Sequence, residues 1–282
     1  MSKRNKYWNK IFENSCQSEE LKKWLFDRKQ TSFQLENDVF KELKIDPNKM
    51  IPTYSKKELP EVLQKYGLNL LRNKTGGCLL IKINDFNLPT LFPKLNEPND
   101  CTRGPPYNAI PKLELFNSKR LINEETGIYL AWHIGVIDDF LKEIFNSEDF
   151  FFGGRLRTKV DSKIKIVNET HKINASFECD AYFESDNNVV ILECKKAYRE
   201  FADSFSLHQI LLPYILLKKE IKKSVSCIYF DFILNPLKEQ DSIIFRLFHY
   251  KFENDSIINP FSYKLSKSKK YIIDFHKTID SY

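Results

Sequence analysis

Between Phe177 and Lys196 the chain reads FECDAYFESDNNVVILECKK, and no other stretch restricts its fold as strongly. Phe177–Phe183 and Val189–Lys195 are dense in aromatic and β-branched residues, and Ser185-Asp186-Asn187-Asn188 between them is a turn cluster. The spacing predicts a β-hairpin. With those residues as the loop, Glu184 faces Val189, and the same register sets Asp180 opposite Glu193 and Glu178 opposite Lys195. Side chains alternate along a strand. Cys179, Ala181, Phe183, Val190, Leu192 and Cys194 therefore form an apolar face, with Cys179 and Cys194 as a packed pair of reduced thiols. The other face carries Glu178, Asp180, Tyr182, Ile191, Glu193 and Lys195.

Directly opposed side chains lie about 5 Å apart at Cβ, and like charges there destabilise the pair. Asp180 and Glu193 need a cation. A salt-bridged surface cluster supplies one, with Glu178 on Lys195, Lys196 or a nearby arginine, at about 0–1 kcal/mol per pair. A divalent metal supplies the other, because paired carboxylates are hard oxygen ligands that leave room for water and phosphate, with Glu178 a further carboxylate on the same face. Lys195 would then polarise an attacking water or steady charge developing on phosphorus. The residues alone leave both open.

Asp180 followed by Glu193-Cys194-Lys195 at the end of an apolar strand resembles the PD-(D/E)xK nuclease superfamily, with Cys179 at the position usually held by proline. From Gly153 to Tyr271 the chain is most similar to the catalytic part of a type II restriction endonuclease. The resemblance implies an α/β (α+β) fold with a mixed central sheet flanked by helices. It implies Mg2+ held by Asp180, Glu193 and the Cys194 carbonyl, Lys195 as the catalytic lysine, and Gln209 on the following helix. In that family a helix before the sheet often adds an acid, for which Glu125 is the first candidate and Glu124 the second. Sequence-specific hydrolysis of double-stranded DNA, by a homodimer if the site is palindromic, is the implied activity. A repair or recombination nuclease of the same fold is the alternative, although Gln209 and Tyr214 are one residue further apart than is usual there. A non-catalytic nucleic-acid-binding domain is the third.

Composition permits this partner without demanding it. The 282 residues carry a formal net charge of +6 on a mixed surface, and 42% hydrophobic content is ample for a core. No apolar run reaches the roughly 20 residues of a membrane span, and the basic start lacks the apolar core of a signal peptide, so a cytoplasmic protein is expected. The six cysteines show no zinc spacing.

Along the chain, residues 1–120 are expected to form a helical or mixed region that reads DNA, and 121–282 the catalytic domain. KRNKYWNK, residues 3–10, interleaves cations with aromatics as a backbone-binding segment can. Residues 20–43 read as two short helices broken near Gln30 to Ser32, and Asn123–Phe145 as one helix with Asn123 its N-cap. Residues 87–111 are rich in proline and read as irregular, either an arm or strands that the pattern hides. Arg155 and Arg157 beside paired glycines suit bidentate phosphate contact as well as an ordinary strand surface. Lys196, Arg199 and Arg103 complete the candidate DNA contacts. The segment 262–271, SYKLSKSKKY, mixes tyrosine and lysine as a phosphate-binding surface does.

Overall fold

The computed structural model describes residues 2–106, 122–146, 148–198, 200–235, 242–253 and 257–274. Its N-terminal part comprises helices α1 (Lys3–Asn14) and α2 (Ser18–Phe26), strand β1 (Ser32–Leu35), and short helices α3 (Asn37–Glu42), α4 (Pro47–Met50) and α5 (Glu61–Lys65). The hairpin of β2 (Leu68–Lys74) and β3 (Gly77–Lys82) follows. After β4 (Cys101–Arg103) come α6 (Glu124–His133), α7 (Val136–Ile144), β5 (Phe151–Ile166), β6 (Glu169–Glu184) and β7 (Asn188–Ala197). Helix α8 (His208–Glu220) and strands β8 (Ser224–Asn235), β9 (Ser242–Phe252) and β10 (Tyr263–Asp274) complete the described chain.

The ten described strands form one mixed sheet in the order β1-β3-β2-β6-β7-β8-β9-β10-β4, with β5 alongside β6. The predicted hairpin lies at its centre, and its register is the expected one, from Glu184 opposite Val189 to Ala181 opposite Leu192. Strands β7 and β8 run parallel, joined by α8, which crosses one face and buries Ile210, Leu211 and Tyr214 against Ile191, Tyr229 and Phe248. Helices α6 and α7 cover the other face, where Ile128, Ala131, Ile137 and Leu141 meet Phe183, Leu192, Phe230 and Phe245. Such fully buried aromatic and aliphatic side chains contribute about 1.5–3 kcal/mol each. The result is a mixed α+β architecture with helices on both faces of a large sheet.

Several expectations change. Cys179 packs on the α8 side and Cys194 on the α6/α7 side, so the thiols are not a pair; β6 twists between Cys179 and Ala181 and sends them into different cores. Phe33 and Leu35, read as part of a second helix, lie in β1, because β3 offers an unpaired edge that wins over local helical spacing. A strand thus separates α2 from α3, in place of two successive helices. Trp8 is fully buried in the N-terminal core with Leu21, Trp24 and Phe40, so the basic start is a packed helix with no free aromatic tryptophan to lie on a backbone. The helix expected over 123–145 breaks at Gly135, whose φ of 83° ends α6 and starts α7 in a new direction. Within the proline-rich stretch, β4 is the hidden strand, pairing parallel with β10. The proposed boundary at residue 120 lies outside the described residues. No described helix is long and apolar enough to cross a membrane.

Asn123 does cap α6, in a capping box with Thr126. One turn on, Gly127 lets the helix settle on β8: a Cβ there would lie 2.2 Å from the Phe232 ring. Gly127→Ala is expected to cost about 1–3 kcal/mol through overpacking, despite the better helix propensity of alanine. The readout is a lower urea midpoint at unchanged slope, and an unchanged midpoint would show that α6 is free to shift.

Candidate active site

At Asp180 strand β6 changes neighbours. Strand β5 occupies one edge of β6 throughout, while the other edge is held by β2 at Asn174 and by β7 only from Ala181 to Glu184. Between those anchors the edge carries no ladder. The register that aims Asp180 at Glu193 therefore continues into an opening, where Asp180 Oδ2 accepts the Cys194 N–H at 2.8 Å. Opposite Tyr229 of β8, Glu193 is buried under α8.

Lys195 Nζ lies 2.8 Å from Glu193 Oε1 and 3.3 Å from Glu124 Oε1, and donates to the Cys194 carbonyl at 2.8 Å. Gln209, on the first turn of α8, donates from Nε2 to the same Glu193 oxygen. The site thus gathers three carboxylates around one ammonium. Burial pushes Glu193 up to about 8, with Asp180 and Glu124 adding to the effect and Lys195 opposing it. Burial also works against the Lys195 ammonium, but the three acids outweigh it and hold its pKa above the ordinary lysine value. The two shifts differ in cause: burial dominates at Glu193, and the neighbouring acids dominate at Lys195.

This donor set fits a small, hard cation. Among the described residues no three or more His, Cys, Asp and Glu side chains group as a metal cage. The protein donors on offer are the Asp180 and Glu193 carboxylates and the Cys194 carbonyl, the sparse oxygen set that magnesium accepts with water completing its shell. Gln209 Oε1 is buried with no hydrogen-bond partner.

Next to Lys195 in the sheet stands Asp231, and next to Asp231 stands Arg246. Both are almost fully buried. Arg246 grips the carboxylate at 2.9 and 2.5 Å, and its guanidinium lies 3.8 Å from the Phe201 ring centroid. Burial raises Asp231 to about 6, with Arg246 opposing it. A cleft of about 460 Å³ opens here, lined by Lys57, Lys195, Lys196, Tyr198, Phe201 and Asp231 among others. Sequence reading missed Asp231, Arg246 and the cleft wall. Their signal was a lone charge inside each of two apolar strands, YFDFIL and IFRLFH.

Of the candidate residues, Asp180, Glu193, Cys194, Lys195 and Gln209 come together. Glu125 does not join them: it is exposed, and the helix acid on Lys195 is Glu124, because the Asn123 cap sets the first helical residue against β7. Nor is Glu178 brought to the lysine. It pairs with Arg155 at 3.1 Å and Arg157 at 3.8 Å on the exposed face of β5 and β6, because the strands have parted before Lys195 could lie opposite it. Lys196 donates to the Ile122 carbonyl at 2.5 Å and stacks over Tyr198. Arg103 is exposed at the far edge of the sheet on β4. Arg199 lies outside the described residues. In the 262–271 segment, Lys267 and Lys269 pair with acids of α7 and Lys270 with Glu97, so much of its charge is met inside the fold.

The Glu193 shift has a pH signature. Folding raises its pKa from 4.5 to about 8, so the stability tied to its protonated form is fully present below about pH 4.5 and is lost as pH rises through 8. Glu193→Gln, studied in chelator, is expected to remove this loss and to gain on the wild type in melting temperature between pH 6 and 9. Parallel curves would show that the site is wetter than its burial implies.

Over residues 90–272 the chain matches the model of a family described as a domain of unknown function (DUF6997). No curated protein and no solved structure matches it.

Proposed function

The chain belongs to the DUF6997 family, and we propose that it is a magnesium-dependent endonuclease of the type II restriction kind, built on a restriction-endonuclease-like core and acting on double-stranded DNA. One observation carries the reading: Asp180, Glu193 and Lys195, from the two strands of one hairpin, converge where β6 and β7 part, with Gln209 of α8 locking Glu193. The matched residues 90–272 contain all four.

Held by Asp180, Glu193 and the Cys194 carbonyl, Mg2+ would supply charge neutralisation at the scissile phosphate and a water of lowered pKa. The chain's own residues prepare the rest. Glu124 and the Cys194 carbonyl anchor the Lys195 ammonium independently of Glu193, so a positive charge stands beside the phosphate position to orient the attacking water and stabilise charge developing on phosphorus. Gln209 restricts Glu193 to one orientation, and the Cys194 N–H does the same for one oxygen of Asp180. The adjoining cleft, walled by Lys57 and Lys196, receives the sugar-phosphate backbone. A homodimer acting on a palindromic site in the cytoplasm completes the proposal.

Plasmid and phage DNA are incubated with the protein in Mg2+ or chelator, beside Lys195→Ala and Asp180→Asn variants of verified fold. Discrete fragments are expected only with Mg2+, and each variant is expected to lose at least about 100-fold in rate. Ragged degradation would instead indicate a repair or exonuclease role for the same site. Mg2+ should also raise the melting temperature, by about 2.7 kcal/mol of stability at a hundredfold excess over its Kd. No cleavage together with no Mg2+-dependent shift would reduce the cluster to a salt-bridged surface of a binding domain.

A further inference from the structure

The hairpin of β5 and β6 extends well past the active site, with 16 residues in each strand. We propose that its exposed face is a track for the phosphate backbone of duplex DNA, covering about one helical turn beside the scissile position. The identity of this partner rests on the nuclease reading above; the charge pattern does not.

Strand β5 alternates from Arg155 to Ile166 except at Thr158, an inward position that is also exposed. Leu156, Val160, Ile164 and Ile166 turn inward to the α8-side core, and Arg155, Arg157, Lys159, Asp161, Lys163 and Lys165 are exposed. The partners of these outward residues on β6, from Glu178 at Arg157 to Lys172 at Lys163 and Thr170 at Lys165, share their face. With Lys172 the face holds six cations against two acids, Glu178 and Asp161. Glu178 engages both arginines and Asp161 engages Lys172 at 3.6 Å. Lys159, Lys163 and Lys165 have no ion-pair partner among the described residues. Their charge is uncompensated, in contrast to Lys267, Lys269 and Lys270, which the fold neutralises.

The dimensions suit a duplex. Outward residues recur every ~6.7 Å, and the ten steps from Arg155 to Lys165 cover about 33 Å. One turn of DNA spans about 34–36 Å. A long two-stranded ribbon also twists strongly, which lets a straight row of cations follow a helical backbone. The row begins at the Glu178 pairs, two residues from Asp180, so bound DNA would run from the track into the site. Every outward position of β5 between Arg155 and Lys165 is charged, and the face lacks the apolar side chains that would insert into a bilayer.

The test is the salt dependence of binding by the full chain to a labelled 30-base-pair duplex in chelator, where no cleavage intervenes. Replacing Lys159, Lys163 and Lys165 together by Gln is expected to flatten the plot of log K against log salt by about 2.7, three contacts at about 0.9 each. The triple Arg variant is expected to keep the wild-type slope, and both are checked for an unchanged melting temperature. A Gln variant that retains the full slope overturns the track. So does binding to phosphatidylserine vesicles without binding to duplex. The two readings fail separately: a flattened slope with no Mg2+-dependent cleavage by the wild type keeps the track and removes the nuclease, and efficient cleavage with an unaltered slope does the reverse.

Discussion

The hydrogen bond from the Cys194 N–H to the Asp180 carboxylate marks the point on which this architecture turns. Strands β6 and β7 pair for four residues and then diverge, and a main-chain donor exposed by that divergence would be costly if left unsatisfied. Asp180 satisfies it with a side chain. The substitution bridges the parting strands at that point without a ladder, and it fixes an acid beside Glu193 at the mouth of the opening. The same divergence leaves β6 free to follow β5 into the long hairpin and to touch β2 at Asn174, which ties the N-terminal strands into the sheet. Thr31 and Ser32 reinforce that tie by donating to Glu169, with His171 3.0 Å from the Ser32 hydroxyl.

Around this opening the sheet carries a row of charge that an apolar core ordinarily excludes. Lys195, Asp231, Arg246 and Lys270 are successive neighbours across β7 to β10, and Glu97 closes the row on Arg246 and Lys270. Asp231 and Arg246 satisfy each other in a bidentate pair with an aromatic ring over the guanidinium, which is what makes their burial tolerable. At Lys195 the balance is different. Three acids face one lysine, and of these Glu193 is buried under α8, where burial pushes its pKa up.

The chain's positive charge is likewise sorted by position more than by amount. Lys267 and Lys269 on β10 are absorbed by Asp139 and Glu143 of α7, whereas the lysines on β5 face outward with no ion-pair partner among the described residues. A net charge of +6 says little about function. Three lysines without an ion-pair partner among the described residues share one face of β5, the strand that leads to the carboxylate cluster.

The hairpin register from Glu184–Val189 to Ala181–Leu192, the turn at Ser185–Asn188 and the cap at Asn123 were legible in the sequence, because each is set by residues within one or two turns or strands. Tertiary structure decided the rest. It made a strand of Ser32–Leu35 because β3 lay beside it, split the helix at Gly135 through a left-handed backbone there, and chose Glu124 over Glu125 where the Asn123-capped helix meets β7. It separated Cys179 from Cys194 and removed Glu178 from the lysine, since strand alternation holds only while strands stay paired and β6 leaves β7 one residue before the site. Local pattern determines which residues face each other along a ladder; where that ladder must open is set by neighbours distant in the chain.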